Sequence, residues 1–442
     1  MCADFDPKRA PINRHRLIVR HRSRRGVIGV DGSGALPRID TPDRHTADVD
    51  HVNDAVATRY GLRTTVLRSL LHGEVCDGVV ERAHELEVHG GDGALEWRPA
   101  ASIVPADEAD RAALEAWSAP FAIVNRRAWM APGWFESARA WIESTLRSVG
   151  KPAPSTIRQL RTWPSSCVLQ VDYGDATAYF KALPAGGPEL AVTRWLAEAF
   201  PESAAPLIAA AGAHRWLLLG ACTGRNLEAV DDVAAWAAAA CRYGELQRAC
   251  ATRIDALRRA GCPARPLTSL SRAVAELADD EATLRSGMEG LTAAEAARLR
   301  AVVPALAERC AALAAIGIPE SIEHGDLWPG NVFVDDGASA IIDWEDVAIG
   351  HPFLSLAPLV VGLANAGLAT AVNVERLERE YGEAFESVAS AERIRRALDL
   401  AAPLCFFDMA VRYRAQRASM ARLHPWMRDL VPQAVRLALA RL

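Results

Sequence analysis

Eight residues, His324-Gly-Asp-Leu-Trp-Pro-Gly-Asn331, and the run Ile341-Ile-Asp343-Trp-Glu345 constrain this chain more than any other part of it. The first segment holds a proline-glycine step and two oxygen-bearing side chains, Asp326 and Asn331, five positions apart, and reads as a loop able to wrap a cation. Val332-Phe-Val334, the turn Asp335-Asp-Gly337 and Ala340-Ile-Ile342 predict a hairpin that returns Asp343 beside Asn331. Asn331 and Asp343 are the hard oxygen ligands that Mg²⁺ prefers when it carries nucleotide phosphates, and Asp326 can face a substrate hydroxyl. These residue types in this order point to phosphoryl transfer. In that reaction a protein mainly holds phosphate, metal and attacking oxygen in line and compensates their charge.

At 442 residues the chain exceeds one ordinary core and predicts two or three domains. Half of it is apolar, about a quarter is charged and the net charge is only −5, so bulk composition calls for a small-molecule partner and not for nucleic acid. Nine dispersed cysteines with no close pair fit reduced thiols in a cytoplasmic protein and exclude a zinc knuckle. The polar, acidic start Met1-Cys-Ala-Asp-Phe-Asp-Pro-Lys8 is unlike a secretory leader. Pro352 to Asn373 carries no charged side chain and could span a bilayer by length, but Pro358 and Asn365 favour a buried helix, so no membrane partner is expected. The basic run Lys8 to Arg25 lacks Phe, Tyr and Trp and reads as solvated strands, not as a nucleic-acid surface.

Extended segments are expected at Leu17–Val19, Gly26–Val30, Thr64–Leu67 and Ala83–Val88, with a turn at Asp31–Gly34 and a helix from about Ala47 to Tyr60 ended by Gly61. Helices are expected at Asp107–Ser118 and Trp134–Ser148. Strands follow at Ile157–Thr162, Cys167–Val171 and Thr177–Leu183, then a helix from Glu189 to Phe200 and a strand at Arg215–Leu219. Beyond Glu228 helices dominate, at Asp231–Ala260, Leu267–Leu277 and Ala293–Ala315. The only lysines are Lys8, Lys151 and Lys181. Lys181 lies in an apolar strand of a chain that otherwise uses arginine, which calls for a specific role, since a compact ammonium and a planar guanidinium are not interchangeable at a phosphate.

The segments His324 to Asn331 and Ile342 to Glu345 resemble the catalytic loop and metal-binding segment of the aminoglycoside phosphotransferase and choline kinase group. The resemblance covers about two-thirds of the chain, Lys151 to Leu442. It implies an α+β, bilobal protein-kinase-like phosphotransferase, with a small antiparallel β N-lobe at 151–224 and a mainly helical C-lobe at 225–442. By the same resemblance Lys181 pairs with the nucleotide phosphates, Glu189 positions Lys181, Ser165 and Ser166 lie over the nucleotide, Asp326 is catalytic, and Asn331 and Asp343 hold Mg²⁺. His324 supports the loop by hydrogen bonding. Trp328 and Ser355 depart from the commoner pattern at positions that bear on the acceptor or on loop packing.

Residues 1–125 form a small α/β domain that resembles a Nudix-type domain, joined by a helical linker at 126–150. The metal-binding helix of that family needs several glutamates, and Asn53-Asp-Ala-Val-Ala-Thr-Arg-Tyr-Gly61 offers one acid, Asp54, which implies a non-catalytic domain. The function expected is transfer of the γ-phosphate of ATP or GTP to a hydroxyl of an antibiotic or metabolite. The alternative is a nucleotide-binding pseudokinase that senses a ligand through its N-terminal domain. Asp279, Asp280, Glu281 and Glu289 would suit a cationic acceptor, whereas Arg412, Arg414 and Arg417 would suit a neutral or anionic one.

Overall fold

The computed structural model describes residues 12–442 except 77, 92, 120–126, 288, 336–337 and 419–424. The Lys8 end of the basic run and two residues of the turn expected at Asp335–Gly337 therefore lie outside the described residues. The chain divides into two compact units, Met1–Ala185 with Ala211–Leu219, and Gly186–Ala210 with Gly220–Leu442.

The first unit begins with β1 (Ile12–Arg20), β2 (Val27–Val30), β3 (Arg38–Pro42), α1 (Asp50–Tyr60), β4 (Arg63–Cys76), β5 (Val79–Gly90) and β6 (Glu96–Pro99). These strands form a mixed sheet in the order β4–β5–β1–β2–β6, with β3 also on β1; β1 and β5 run parallel. Alternation along β1 sends Leu17 and Val19 into a core with Val52 and Val56 of α1, and Ile18 into a core with Ala113 and Ala116 of α2 (Glu108–Ser118). The sheet is thus covered on both faces. β4 runs well beyond the expected Thr64–Leu67 because irregularities in its pairing with β5, between Val66 and Arg68 among others, break the period-two pattern that a sequence reading relies on.

Arginines in β1 are consumed by ion pairs to neighbouring elements: Arg14 pairs with Asp40 of β3 at 3.0 Å, Arg16 with Asp107 and Asp110 at the start of α2 at 2.9 Å each, and Arg20 with Glu85 of β5 at 2.5 Å. Asp54, the one acid of Asn53–Gly61, is ion-paired with Arg158 at 2.8 Å.

After α3 (Trp134–Ser148) come β7 (Thr156–Thr162), β8 (Cys167–Tyr173) and β9 (Ala176–Ala182). The chain passes through α4 (Glu189–Ala199) and β10 (Leu207–Ala211) and adds β11 (Trp216–Gly220) to the first unit, whose strands in this second sheet lie in the order β11–β9–β8–β7. Phe180 of β9 and Trp216 of β11 pack against Trp134 and Trp141 of α3.

The helix expected from Ala47 starts only at Asp50, because Ala47–Val49 lie along β7: Asp48 bridges Arg161, Val49 N–H donates to Leu160 O at 2.9 Å, and Thr162 N–H to Ala47 O at 2.9 Å. The buried Gln159 of β7 completes this join. Its Oε1 accepts from Val66 N–H at 2.7 Å and its Nε2 donates to Val66 O at 2.9 Å. Replacing it strands two buried backbone groups of β4. Gln159→Leu is expected to cost about 2–3 kcal/mol, read as an earlier urea transition of the first unit.

The second unit continues with β12 (Arg225–Asn226), α5 (Val233–Ala251), α6 (Ile254–Arg259), α7 (Leu267–Ala278), α8 (Glu281–Leu284) and α9 (Ala293–Ala315). The single helix expected at Asp231–Ala260 is broken at Thr252–Arg253, where Arg253 N–H turns back to Cys250 O. Next come β13 (Ser321–Glu323), β14 (Val332–Asp335), β15 (Ala338–Ile341), β16 (Ala348–Gly350), α10 (Ala357–Asn365), α11 (Ala371–Glu383), α12 (Ala391–Ala418) and α13 (Pro425–Leu439). One apolar core, with Trp236, Tyr243, Trp344, Phe353, Tyr381 and Phe406, unites them. The uncharged Pro352–Asn373 stretch is a turn, α10 and the start of α11, and among the described residues no helix is long and apolar enough to cross a membrane.

Candidate phosphotransfer site

The short strand β13 pairs antiparallel with β16, Ile322 opposite Ile349, and carries the chain into His324. There the backbone must turn left-handed: Gly325 has φ +84°, and a Cβ on it would sit 2.5 Å from Asp346 O, so only glycine fits. The loop that follows is held from inside. Asp326 N–H donates to His324 Nδ1 at 3.2 Å, so Nε2 carries the imidazole proton and donates to Ile342 O at 3.0 Å. Burial holds His324 neutral, its pKa lowered to about 4. The ring works as a two-ended brace between the loop and the hairpin.

Asn331 provides the second tie. Its Nδ2 donates to Asp326 O at 2.9 Å, and its own carbonyl accepts from Ile342 N–H at 3.0 Å. The β14–β15 hairpin, Val332 opposite Ile341, ends two residues before Asp343. Asp343 adopts φ +65°, a left-handed conformation that costs a non-glycine residue about 1 kcal/mol. Asp326, Asn331 and Asp343 are thereby brought together from three positions in the sequence.

The carboxylates crowd one another. Burial, then Asp346 and to a smaller degree Asp343, push the Asp326 carboxyl up to about 7, against the opposing charge of Arg412. A cation would relieve this repulsion. The donor set suits Mg²⁺: with its amide NH₂ committed to Asp326 O, Asn331 keeps Oδ1 for a metal, and Asp343 adds a carboxylate. Among the described residues no group of three or more His, Cys, Asp or Glu forms a complete metal cage. Mg²⁺ needs only one or two protein ligands when phosphates supply the others.

Beneath the loop lies an ion network that sequence reasoning missed. Arg412 of α12 pairs with Asp346 and with Asp408 at 2.9 Å each, and also donates to Gly325 O. Arg265 pairs with Glu323 at 2.7 Å and Asp408 at 3.1 Å and donates to Asp346 O at 2.8 Å. Glu323, at the end of β13, accepts Gly325 N–H at 2.8 Å and the Ser355 hydroxyl at 3.2 Å. Ser355 in turn accepts from Tyr243 at 2.8 Å, and His324 N–H reaches the Tyr243 hydroxyl at 3.0 Å. The unusual Ser355 is thus a buried hydrogen-bond relay. Only the Asp408–Arg412 pair, one helical turn apart, left a signal in the sequence.

Arg414 is paired with Asp280 at 2.8 Å, and Arg417 donates to Ser286 Oγ at 2.7 Å. Arg412 and Arg414 are thus held by ion pairs within the fold, and Arg417 by neutral hydrogen bonds. Asp280 is likewise spent, capping α8 as well as binding Arg414.

The remaining expected residues occupy the β-rich part and its exit. Lys181 lies on β9 opposite Val168 of β8, 9% exposed, on the face away from Phe180 and the α3 tryptophans. Ser165 and Ser166 lie between β7 and β8 in a turn closed by Trp163 N–H to Ser166 O at 2.8 Å. Trp129 Nε1 to Trp163 O at 3.1 Å and Arg127 Nε to Pro164 O at 2.6 Å fasten that turn; Ser166 is buried and Ser165 half-buried. Glu189 is buried in the first turn of α4 and falls in the second unit, Lys181 in the first.

A model of the phosphotransferase enzyme family matches residues 168–401, more than half of the chain. Comparison with curated proteins gave no significant match. Among solved structures, choline kinase from Cryptosporidium parvum Iowa II is similar at 12% identity over 70% of this chain and 95% of its own, with a TM-score of 0.53. A choline/ethanolamine kinase family protein from Mesorhizobium loti matches at 15% identity, 70% and 98% coverage and a TM-score of 0.47. A type I macrolide 2'-phosphotransferase matches at 14% identity, 68% and 97% coverage and a TM-score of 0.47. The chain belongs to the phosphotransferase enzyme family, with a kinase-like α+β fold.

Proposed function

We propose that the protein is a small-molecule kinase that moves the γ-phosphate of ATP or GTP to a hydroxyl of an antibiotic or metabolite. The observation that carries this reading is the loop tied by His324 and Asn331, which assembles one carboxylate with raised proton affinity, Asp326, beside two oxygen ligands, Asn331 and Asp343. Asp326 accepts the proton of, or orients, the acceptor hydroxyl. Asn331 and Asp343 hold Mg²⁺, which when bound neutralises charge on the transferring phosphate. Lys181 binds the nucleotide phosphates, Glu189 orients it, and Ser165 and Ser166 cover the nucleotide. In this reading the chain is organised as a non-catalytic 1–125 domain, a 126–150 linker, a 151–224 N-lobe and a 225–442 C-lobe.

The test is nucleoside diphosphate release from purified protein with Mg·ATP or Mg·GTP, against aminoglycosides, macrolides, nucleosides, choline-like amines and ketosamine sugars. Acceptor-dependent release is expected, and loss of it in Asp343→Ala would tie it to this loop. Tight nucleotide binding with no release across the panel would count for a pseudokinase instead.

A further inference from the structure

The turn between β1 and β2 breaks the rule set by its strand. Arg14, Arg16 and Arg20 all have ion-pair partners in neighbouring elements, whereas Arg22, Arg24 and Arg25 are exposed and have no ion pair among the described residues. The turn is nonetheless built to a definite shape. His21 Nδ1 accepts from Ser23 N–H and from Arg24 N–H at 3.1 Å each, and the His21 ring meets Trp97 edge-on at 4.9 Å.

Behind the turn is a cavity of about 560 Å³, lined by Arg20, His21, Arg22, Arg24, Arg25 and Glu87, within the size range of small-molecule pockets. Glu87 lies opposite Arg20 in the β1–β5 register and is only 8% exposed. Its Oε1 accepts Gly133 N–H at 2.7 Å, at the start of α3, while the buried Oε2 has no hydrogen-bond partner. A buried carboxylate oxygen without a donor is costly unless something supplies one. Four guanidinium groups around the same space offer planar forks that match phosphate oxygens.

We propose that this cavity binds a small phosphorylated compound, its phosphate held by the arginines of the β1–β2 turn and a hydroxyl or amino group donating to Glu87 Oε2. None of these residues belongs to the phosphotransfer loop, and the site does not depend on the kinase reading. The buried acid sets it apart from a nucleic-acid surface, where a carboxylate would oppose the phosphate backbone and stacking aromatics would be expected.

The experiment is calorimetric titration of the full-length protein in metal-free buffer with ribose 5-phosphate, glucose 6-phosphate, phosphoethanolamine and ADP. The corresponding unphosphorylated compounds, inorganic phosphate and a DNA duplex serve as contrasts. At least one phosphorylated probe should bind saturably at one site, weakened about tenfold or more by Arg22→Glu with Arg25→Glu and more mildly by Glu87→Gln. Both arginines are exposed, so their variant keeps the fold, and its rate of phosphotransfer should equal that of the parent. The proposal fails if no phosphorylated probe binds at millimolar concentration, if binding survives the double variant unchanged, or if only inorganic phosphate or DNA binds.

Discussion

Asp326→Asn is expected to lower kcat by about 10³-fold or more while leaving nucleotide binding within a few-fold of the parent, and at the same time to make the protein more stable at alkaline pH. Both outcomes follow from one feature. Burial, and after it the neighbouring Asp346 and Asp343, raises the Asp326 carboxyl to about 7 in the folded chain, whereas an unfolded chain ionises it at an ordinary value. A raised folded pKa means that the native state binds the proton more tightly. Its contribution to stability is fully present below the unfolded pKa and is lost as pH rises through about 7. In metal-free buffer at pH 8 the ionised Asp326 therefore works against folding by on the order of 2 kcal/mol, after discounting the full linkage value for its exposed edge. The neutral amide removes that burden. Thermal unfolding at pH 5 and pH 8 beside a turnover assay checks this directly: a variant that is both inactive and less stable at pH 8 would mean that the carboxylate is a structural group.

The second large effect is expected at Arg412. Deleting its guanidinium takes the ion-pair partner from Asp346, leaves the buried Asp408 with Arg265 alone, and removes the donor from Gly325 O. Breaking one side of such a network costs about 3–5 kcal/mol, so Arg412→Leu should unfold at markedly lower urea. Arg412→Leu combined with Asp408→Asn should recover part of the loss, because the second change removes a buried charge that has lost one of its two cationic partners. Equal stability of Arg412→Leu and the parent would show that water already compensates these groups.

The candidate site was legible where its residues lie close in sequence. Asp326, Asn331 and Asp343 fall within one loop and one hairpin, and the hairpin register places Asn331 and Ile342 in contact through the backbone. α9 has the bounds that its alanine-rich periodicity predicts, and Thr292 and Glu295 form a capping box at its start. The supports of the site were hidden. Arg412 reaches Gly325 across 87 positions, and nothing local marks a residue as the partner of a group so distant. The left-handed Asp343 was hidden for the opposite reason, since a non-glycine residue gives no warning of positive φ. Ala47–Val49 misled because helix propensity is a weak prior that an unfilled strand edge overrides.

Val66, Gln159 and the Ala47–Val49 strip together mean that the polypeptide connection between α2 and β7 is not what keeps the two sheets of the first unit together. A cut engineered between Ser118 and Ala128 should leave both fragments associated through gel filtration. The same two fragments, made separately and mixed, should find each other: this unit is suited to fragment complementation, and activity restored on mixing would report on assembly without any added tag.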